Sequence, residues 1–173
     1  VRQSFYNREA IDKGAKLLID QLQNEGFLRA EILSIRPQFN KKKEVVDIFV
    51  NLDEGPLTQI QKIQFEGIKA LSRNQILNVL DIKAGKPLRL NSLQPNIEKI
   101  MQLYRSKGYL EVQVSNSKKD LITYNQNYTL AVVRFKVREG PQIIVNSIRV
   151  DGNSFTRESV VLRELEFKEG DIL

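Results

Sequence analysis

The sequence predicts an α+β fold written in tandem. Each module runs β-α-α-β-β, with a three-stranded sheet covered on one face by two helices. Landmarks recurring at one interval are the first sign: Glu54-Gly55-Pro56 returns as Glu139-Gly140-Pro141, Gly67 as Gly152 and Gly85 as Gly170, each 85 positions on. The positions between them match in type: Ile60, Ile63 and Phe65 correspond to Val145, Ile148 and Val150, and Leu77, Leu80 and Ile82 to Leu162, Leu165 and Phe167. A unit that long exceeds a solenoid repeat and has the size of a small domain. The second sign is period-two alternation in short runs, and the third is apolar spacing of three and four in the runs between them.

In chain order, residues 7–25 predict a helix with Ile11, Ala15, Leu18 and Leu22 inward, ended by Gly26-Phe27. Leu28, Ala30 and Ile32 alternate in a following strand, and Val46, Ile48, Val50 and Leu52 in another. Residues 57–66 predict the opening strand of the next module, with Ile63 and Phe65 on one face and a turn at Gly67. Ser72-Arg-Asn-Gln75 reads as a capping box, in which hydroxyl and amide satisfy free donors at a helix start. Ile76, Leu77 and Leu80 line that helix, which stops before Gly85 and Pro87.

Asn91 is expected to cap a second helix striped by Leu93, Ile97, Ile100, Met101 and Tyr104. Lys107-Gly108 should end it, with a cation near the carboxyl end and a glycine suited to a left-handed cap. Leu110 to Val114 alternates as a strand. A polar loop near 116–127 leads into the closing strand, where Val133, Phe135 and Val137 point inward and Arg134, Lys136 and Arg138 outward. Residues 142–173 then supply a first strand and first helix only.

The expected domains are therefore a partial module over 1–56 (helix two, strands two and three), a complete one over 57–141 and a partial one over 142–173 (strand one, helix one). The terminal fragments would together complete one domain. Two readings follow: a piece of a longer protein, or head-to-tail self-association in which neighbouring copies complement each other.

Composition narrows the function. The 173 residues contain no Cys and no His. Thiolate metal sites, disulfides and cysteine nucleophiles are excluded, and the commonest general base and metal ligand is missing. No cofactor, metal site or enzymatic activity is expected. No apolar run approaches the roughly 18–20 residues of a membrane helix. The net charge of +6 is uneven: residues 57–141 hold 14 basic against 6 acidic residues (+8), residues 1–56 nine of each, and residues 142–173 four against six (−2).

The element order, the closing Glu-Gly-Pro, the opening Ile-x-x-Ile-x-Phe-x-Gly and the Gly-Tyr or Gly-Phe after helix two resemble the polypeptide-transport-associated (POTRA) domain. They occur at Gln59–Gly67, Gly108-Tyr109 and Glu139-Gly140-Pro141, with echoes at Gly26-Phe27, Glu54-Gly55-Pro56 and Val145–Gly152. The resemblance covers essentially the whole chain and is to tandem POTRA modules of the BamA/TamA outer-membrane assembly family. The sequence departs from the pattern at Gly67-Ile68, where Gly-Asn is more typical.

The resemblance implies a periplasmic arm attached to the outer membrane through a downstream β-barrel outside this chain. It implies binding of unfolded outer-membrane protein clients and accessory assembly proteins, with no catalytic residue. A TamA-like protein, a two-partner secretion transporter or an organelle import channel is the alternative within the class.

Docking by strand addition needs an exposed sheet edge, whose unpaired backbone groups accept a partner with little regard for sequence. The candidate edge is Leu110, Glu111, Val112, Gln113, Val114 and Ser115, with 28–33 equivalent in the earlier module. The competing reading is a strand capped by its own loop or by a neighbouring module. Arg134, Lys136 and Arg138 form a basic face that suits acidic clients, an acidic partner or anionic head groups. The competing reading there is a solvated face paired with Glu111 and its neighbours. A basic nucleic-acid-binding module is a distant alternative at pI ≈ 9.5. The surplus charge sits in one module without stacking aromatics, so no nucleic-acid partner is expected. The Glu-Gly-Pro joints leave almost no linker, which predicts limited hinge motion.

Overall fold

The structure, a computed structural model, describes residues 7–42, 44–152, 154–155 and 157–172. The outermost parts of the expected domains, residues 1–6 and Leu173, and Asn153, which follows Gly152 in the sequence, lie outside the described residues. The elements are α1 (Arg8–Glu25), β1 (Glu31–Phe39), β2 (Val46–Asp53), β3 (Gln59–Glu66), α2 (Arg73–Val79), α3 (Leu93–Arg105), β4 (Gln113–Val114), α4 (Lys118–Leu121), β5 (Ile122–Tyr124), β6 (Leu130–Arg138) and α5 (Glu158–Arg163). β1 and β2 form one antiparallel sheet. A second sheet has the order β3-β6-β4, with β5 also pairing β6.

The chain divides into two compact units. The first holds residues 1–64, 82–93 and 118–133. In it α1 is capped by Asn7, whose side chain accepts from the N–H groups of Glu9 and Ala10. Its Ile11, Ala15 and Leu22 are half-buried as expected, but Leu18 is 39% exposed and no residue of the helix is fully buried. Ile60, Ile63, Leu88 and Val133 are the unit's most buried large aliphatic residues.

The second unit holds residues 65–81, 94–117 and 134–173. Phe135, Ile76, Ile100 and Tyr104 are fully enclosed there, each contributing roughly 1.5–3 kcal/mol through the apolar surface removed from water. The capping box at Ser72 and Gln75 forms in both directions. β6 alternates strictly over its length, with Ala131, Val133, Phe135 and Val137 buried.

Four expectations are corrected. Asn91 does not cap α3: it lies inside a 3-10 turn, Leu90–Ser92, closed by the Ser92 hydroxyl donating to the Arg89 carbonyl. The strand expected over 110–115 is only Gln113–Val114, because Leu110 and Glu111 belong to the turn that follows the helix cap. The loop near 116–127 contains α4 and β5, so a fourth strand segment joins the three expected ones. Residues 145–150 form no strand; Ile144 makes an isolated bridge to Ile172.

The sequence repeat reappears in hydrogen bonds. In the first unit the Gly26 carbonyl accepts from Thr58 N–H (2.9 Å), Ile60 N–H donates to Lys86 O (2.8 Å), and Gly85 N–H donates to Ile60 O (2.7 Å). In the second unit the Gly108 carbonyl accepts from Ile143 N–H (2.8 Å), Val145 N–H donates to Asp171 O (2.9 Å), and Gly170 N–H donates to Val145 O (2.8 Å). The bridge Gln59–Pro87 likewise has its counterpart in Ile144–Ile172.

Both helix-ending glycines are left-handed, at φ 109° for Gly26 and 81° for Gly108, and both pack tightly. A Cβ at Gly26 would meet Leu57 and Pro87. One at Gly108 would meet Gln142, the Ile143 carbonyl and Ile172.

Candidate docking edges

β4 pairs with β6 through Gln113–Arg138 and Val114–Val137, and Ser115 N–H adds a bond to Lys136 O (2.9 Å). Beyond it the backbone ladder stops and a side chain continues it. The Asn116 carboxamide donates to Arg134 O (2.9 Å) and accepts from Lys136 N–H (2.7 Å), filling the place of a peptide group. Of the six expected edge residues, only Gln113 and Val114 are strand. Leu110 is 38% exposed in the turn, Glu111 is exposed beside it and Val112 is buried. This edge is short and partly occupied by its own chain.

The equivalent strand in the first unit is nine residues long. β1 pairs with β2 from Glu31–Asp53 to Phe39–Val46, with an irregularity at Leu33. Among the described residues no strand pairs with the other side of β1. The expected edge of 28–33 is thus displaced toward the carboxyl end, since Leu28 and Arg29 form the turn after α1. Apolar side chains stay open along this sheet: Leu33 is 57% and Phe49 56% exposed.

The basic face makes contacts on both sides, one of them with Gln113, a neighbour of Glu111. Arg134 forms an ion pair with Glu66 (3.1 Å) and Arg138 donates to the Gln113 side chain (3.3 Å). Arg134 and Lys136 are half-buried and Arg138 is exposed, so the three do not present a uniform charged surface. The Arg134–Glu66 pair is solvated and contributes at most ~1 kcal/mol.

Three polar arrangements carry no pattern in the sequence. Glu139, first residue of the closing Glu-Gly-Pro, accepts from the N–H groups of Lys69 (2.7 Å) and Ala70 (2.9 Å) and from the Tyr104 hydroxyl (2.8 Å). Burial disfavours the charged carboxylate, yet these three donors and the nearby Lys69 charge hold it below its ordinary value. Burial first, then the bond to Glu139 and its charge, push the Tyr104 hydroxyl up. Asn96, fully buried on α3, accepts from Asp81 N–H (2.8 Å). In the first unit the buried Thr58 hydroxyl donates to the Tyr128 carbonyl, and the Arg29 guanidinium lies 5.1 Å from the Tyr128 ring centre. Spacing could suggest Tyr104 as core; its hydroxyl partner comes from 35 residues away and could not be read.

Among the described residues no group of three or more acidic residues is placed to hold a metal, and no helix is long and apolar enough to cross a membrane.

The sequence pattern of the POTRA family, described as "Surface antigen variable number repeat", matches residues 2–55 and 58–140. The chain belongs to the POTRA family. Each matched stretch of this POTRA chain ends on the glycine of a Glu-Gly-Pro, Gly55 or Gly140. It is 26% identical over 171 residues to the outer membrane protein assembly factor BamA of Neisseria meningitidis serogroup B, covering 97% of this chain and 21% of that protein. It is 21% identical over 168 residues to BamA of Nitratidesulfovibrio vulgaris, covering 95% and 20%. The POTRA chain thus spans about a fifth of the length of the curated relatives it matches.

Among solved structures, the POTRA3-5 crystal structure of Haemophilus influenzae BamA aligns over 99% of this chain and 66% of that one, at 18% identity and a TM-score of 0.46. The N-terminal domain of Omp85 from Thermosynechococcus elongatus aligns over 98% and 67%, at 20% identity and a TM-score of 0.49.

Proposed function

We propose that this POTRA chain is the periplasmic arm of a BamA-type outer-membrane protein assembly factor, joined to a β-barrel outside the chain. It holds unfolded client chains and accessory proteins by adding their strands to its open sheet edges, and it acts as scaffold rather than catalyst. The observation that carries this reading is β1: nine residues of strand, paired on one side only among the described residues. An unpaired row of backbone donors and acceptors recognises extended chain of almost any sequence, which suits a machine with many clients. The relatives named outer membrane protein assembly factor support the cellular setting.

The test is amide exchange of the chain with and without a urea-unfolded outer-membrane β-barrel polypeptide diluted into buffer. Protection should rise at outward-facing amides within the Glu31–Phe39 strand and, over a shorter span, at Gln113–Ser115. Absence of binding, or binding that protects no strand edge, refutes the proposal.

A further inference from the structure

We propose that the outer edge of β1 accepts an extended client segment along Glu31–Ile35 only, that Pro37 ends the added ladder, and that Arg36 favours a segment bearing a carboxylate. This rests on the edge-docking reading above and specifies its register and charge preference.

The register follows from alternation in antiparallel pairs, where successive residues turn their backbone groups alternately toward and away from the partner. Asn40 N–H donates to Val45 O (3.0 Å), so Asn40 faces β2. Counting back along Phe39–Val46, Gln38–Asp47 and Pro37–Ile48, position 37 faces away from β2, and so does Ile35, paired with Val50. Proline has no N–H, and outward on an edge strand is where it removes no existing ladder bond. An incoming strand can therefore form both bonds at Ile35, finds only a carbonyl at Pro37, and meets the ring of that residue. The irregularity beside Leu33 further disturbs the outer row.

The charge preference follows from which face Arg36 occupies. A shallow depression lined by Ile11 and Asp12 of α1 also contacts Ile35 and Pro37, so α1 lies over the face those two share. Arg36 and its cross-strand partner Phe49 are on the opposite face, where both line open depressions of about 420 and 470 Å³. Arg36 is exposed and forms no ion pair among the described residues, although Asp47 stands diagonally from it on the same face. A strand added outside β1 places alternate side chains on that face, next to Arg36. An acidic residue there gains a partner; a basic one is repelled.

The test uses the chain as it stands and two synthetic, fluorescein-labelled peptides of about ten alternating valines and threonines, one with a central glutamate and one with a central lysine. Anisotropy should show the glutamate peptide bound about two- to five-fold more tightly, as for a solvated ion pair. Arg36→Glu should reverse that order. Pro37→Val should tighten both peptides and extend amide protection from Ile35 to positions 37–39, with far-UV circular dichroism verifying the fold. Should Pro37→Val not fold, the Arg36→Glu reversal and protection at Ile35 in the unaltered chain still decide. Binding with protection confined to Gln113–Ser115, or with no charge order and no effect of Pro37→Val, overturns this inference and leaves edge docking standing. Failure of both peptides and of the unfolded barrel polypeptide overturns the two together. A mass that rises with concentration, in place of peptide binding, assigns the edge to a second copy and also overturns it.

Discussion

Tyr104→Phe isolates the bond that ties α3 to the end of β6. The hydroxyl is removed from a residue with no exposed surface, and the ring, which carries the apolar packing, remains. What is lost is a 2.8 Å bond to a carboxylate that keeps its two backbone donors from Lys69 and Ala70. Bonds to charged groups contribute about 1.5–3 kcal/mol. Glu139 is only half-buried, so water replaces part of the interaction and the lower end applies, about 1.5 kcal/mol. For a module of this size that lowers Tm by roughly 6–12 °C.

Urea unfolding at pH 7 measures it, and the pH series tests the cause. The Glu139 carboxyl is held below its ordinary value in the folded state. Its contribution is therefore full above the ordinary carboxylate range and is lost as pH falls through the lowered folded value. Tyr104 is shifted upward, so its contribution is full below the ordinary tyrosine value near 10 and is lost as pH rises beyond it. Tyr104→Phe should reduce the alkaline loss, Tyr124 (also pushed up by burial) keeping a share of it, and should reduce the acid one; Glu139→Gln should remove the Glu139 part of the acid loss. A Tyr104→Phe chain that unfolds at the same urea concentration as the unaltered chain, with the same pH profile, refutes the reasoning.

Two further outcomes are expected. Gly67→Ala forces a left-handed residue (φ 81°) to carry a Cβ that collides with the Val137 carbonyl. It should destabilise by more than the ~1–2 kcal/mol of the backbone strain alone, read from the urea midpoint. Asn116→Asp keeps the acceptor for Lys136 N–H but loses the donor to Arg134 O. It should cost about 1 kcal/mol and speed amide exchange at Lys136 relative to Val133.

Local signals carried most of the fold. The Ser72 box, the left-handed Gly108 and the alternation of Leu130–Arg138 depend on residues close in sequence, and each formed. The failures share a dependence on distant partners. Leu110 to Val114 alternates, but the turn after the α3 cap takes Leu110 and Glu111, Val112 N–H donates back to Tyr109 O, and past Ser115 the Asn116 side chain replaces the ladder, so the strand shrinks to two residues. Val145 to Val150 has the pattern of Gln59–Glu66 but, among the described residues, no counterpart of β6 to pair with. An open sheet edge was legible in the sequence as a kind of candidate site. Its better representative was not, because the length of β1 is set by the strand opposite and the orientation of Pro37 by the register with β2.

The carbonyl of a helix-ending glycine receives the first amide of the following stretch at both places where the repeat predicts it, Gly26 to Thr58 and Gly108 to Ile143. Such a link is made of main chain alone, so it is indifferent to the side chains around it. Threonine or isoleucine can follow, and arginine or glutamate can flank it at 29 and 111, without the coupling being rewritten. Successive copies of the repeat are therefore free to diverge in their side chains while inheriting the same main-chain fastening.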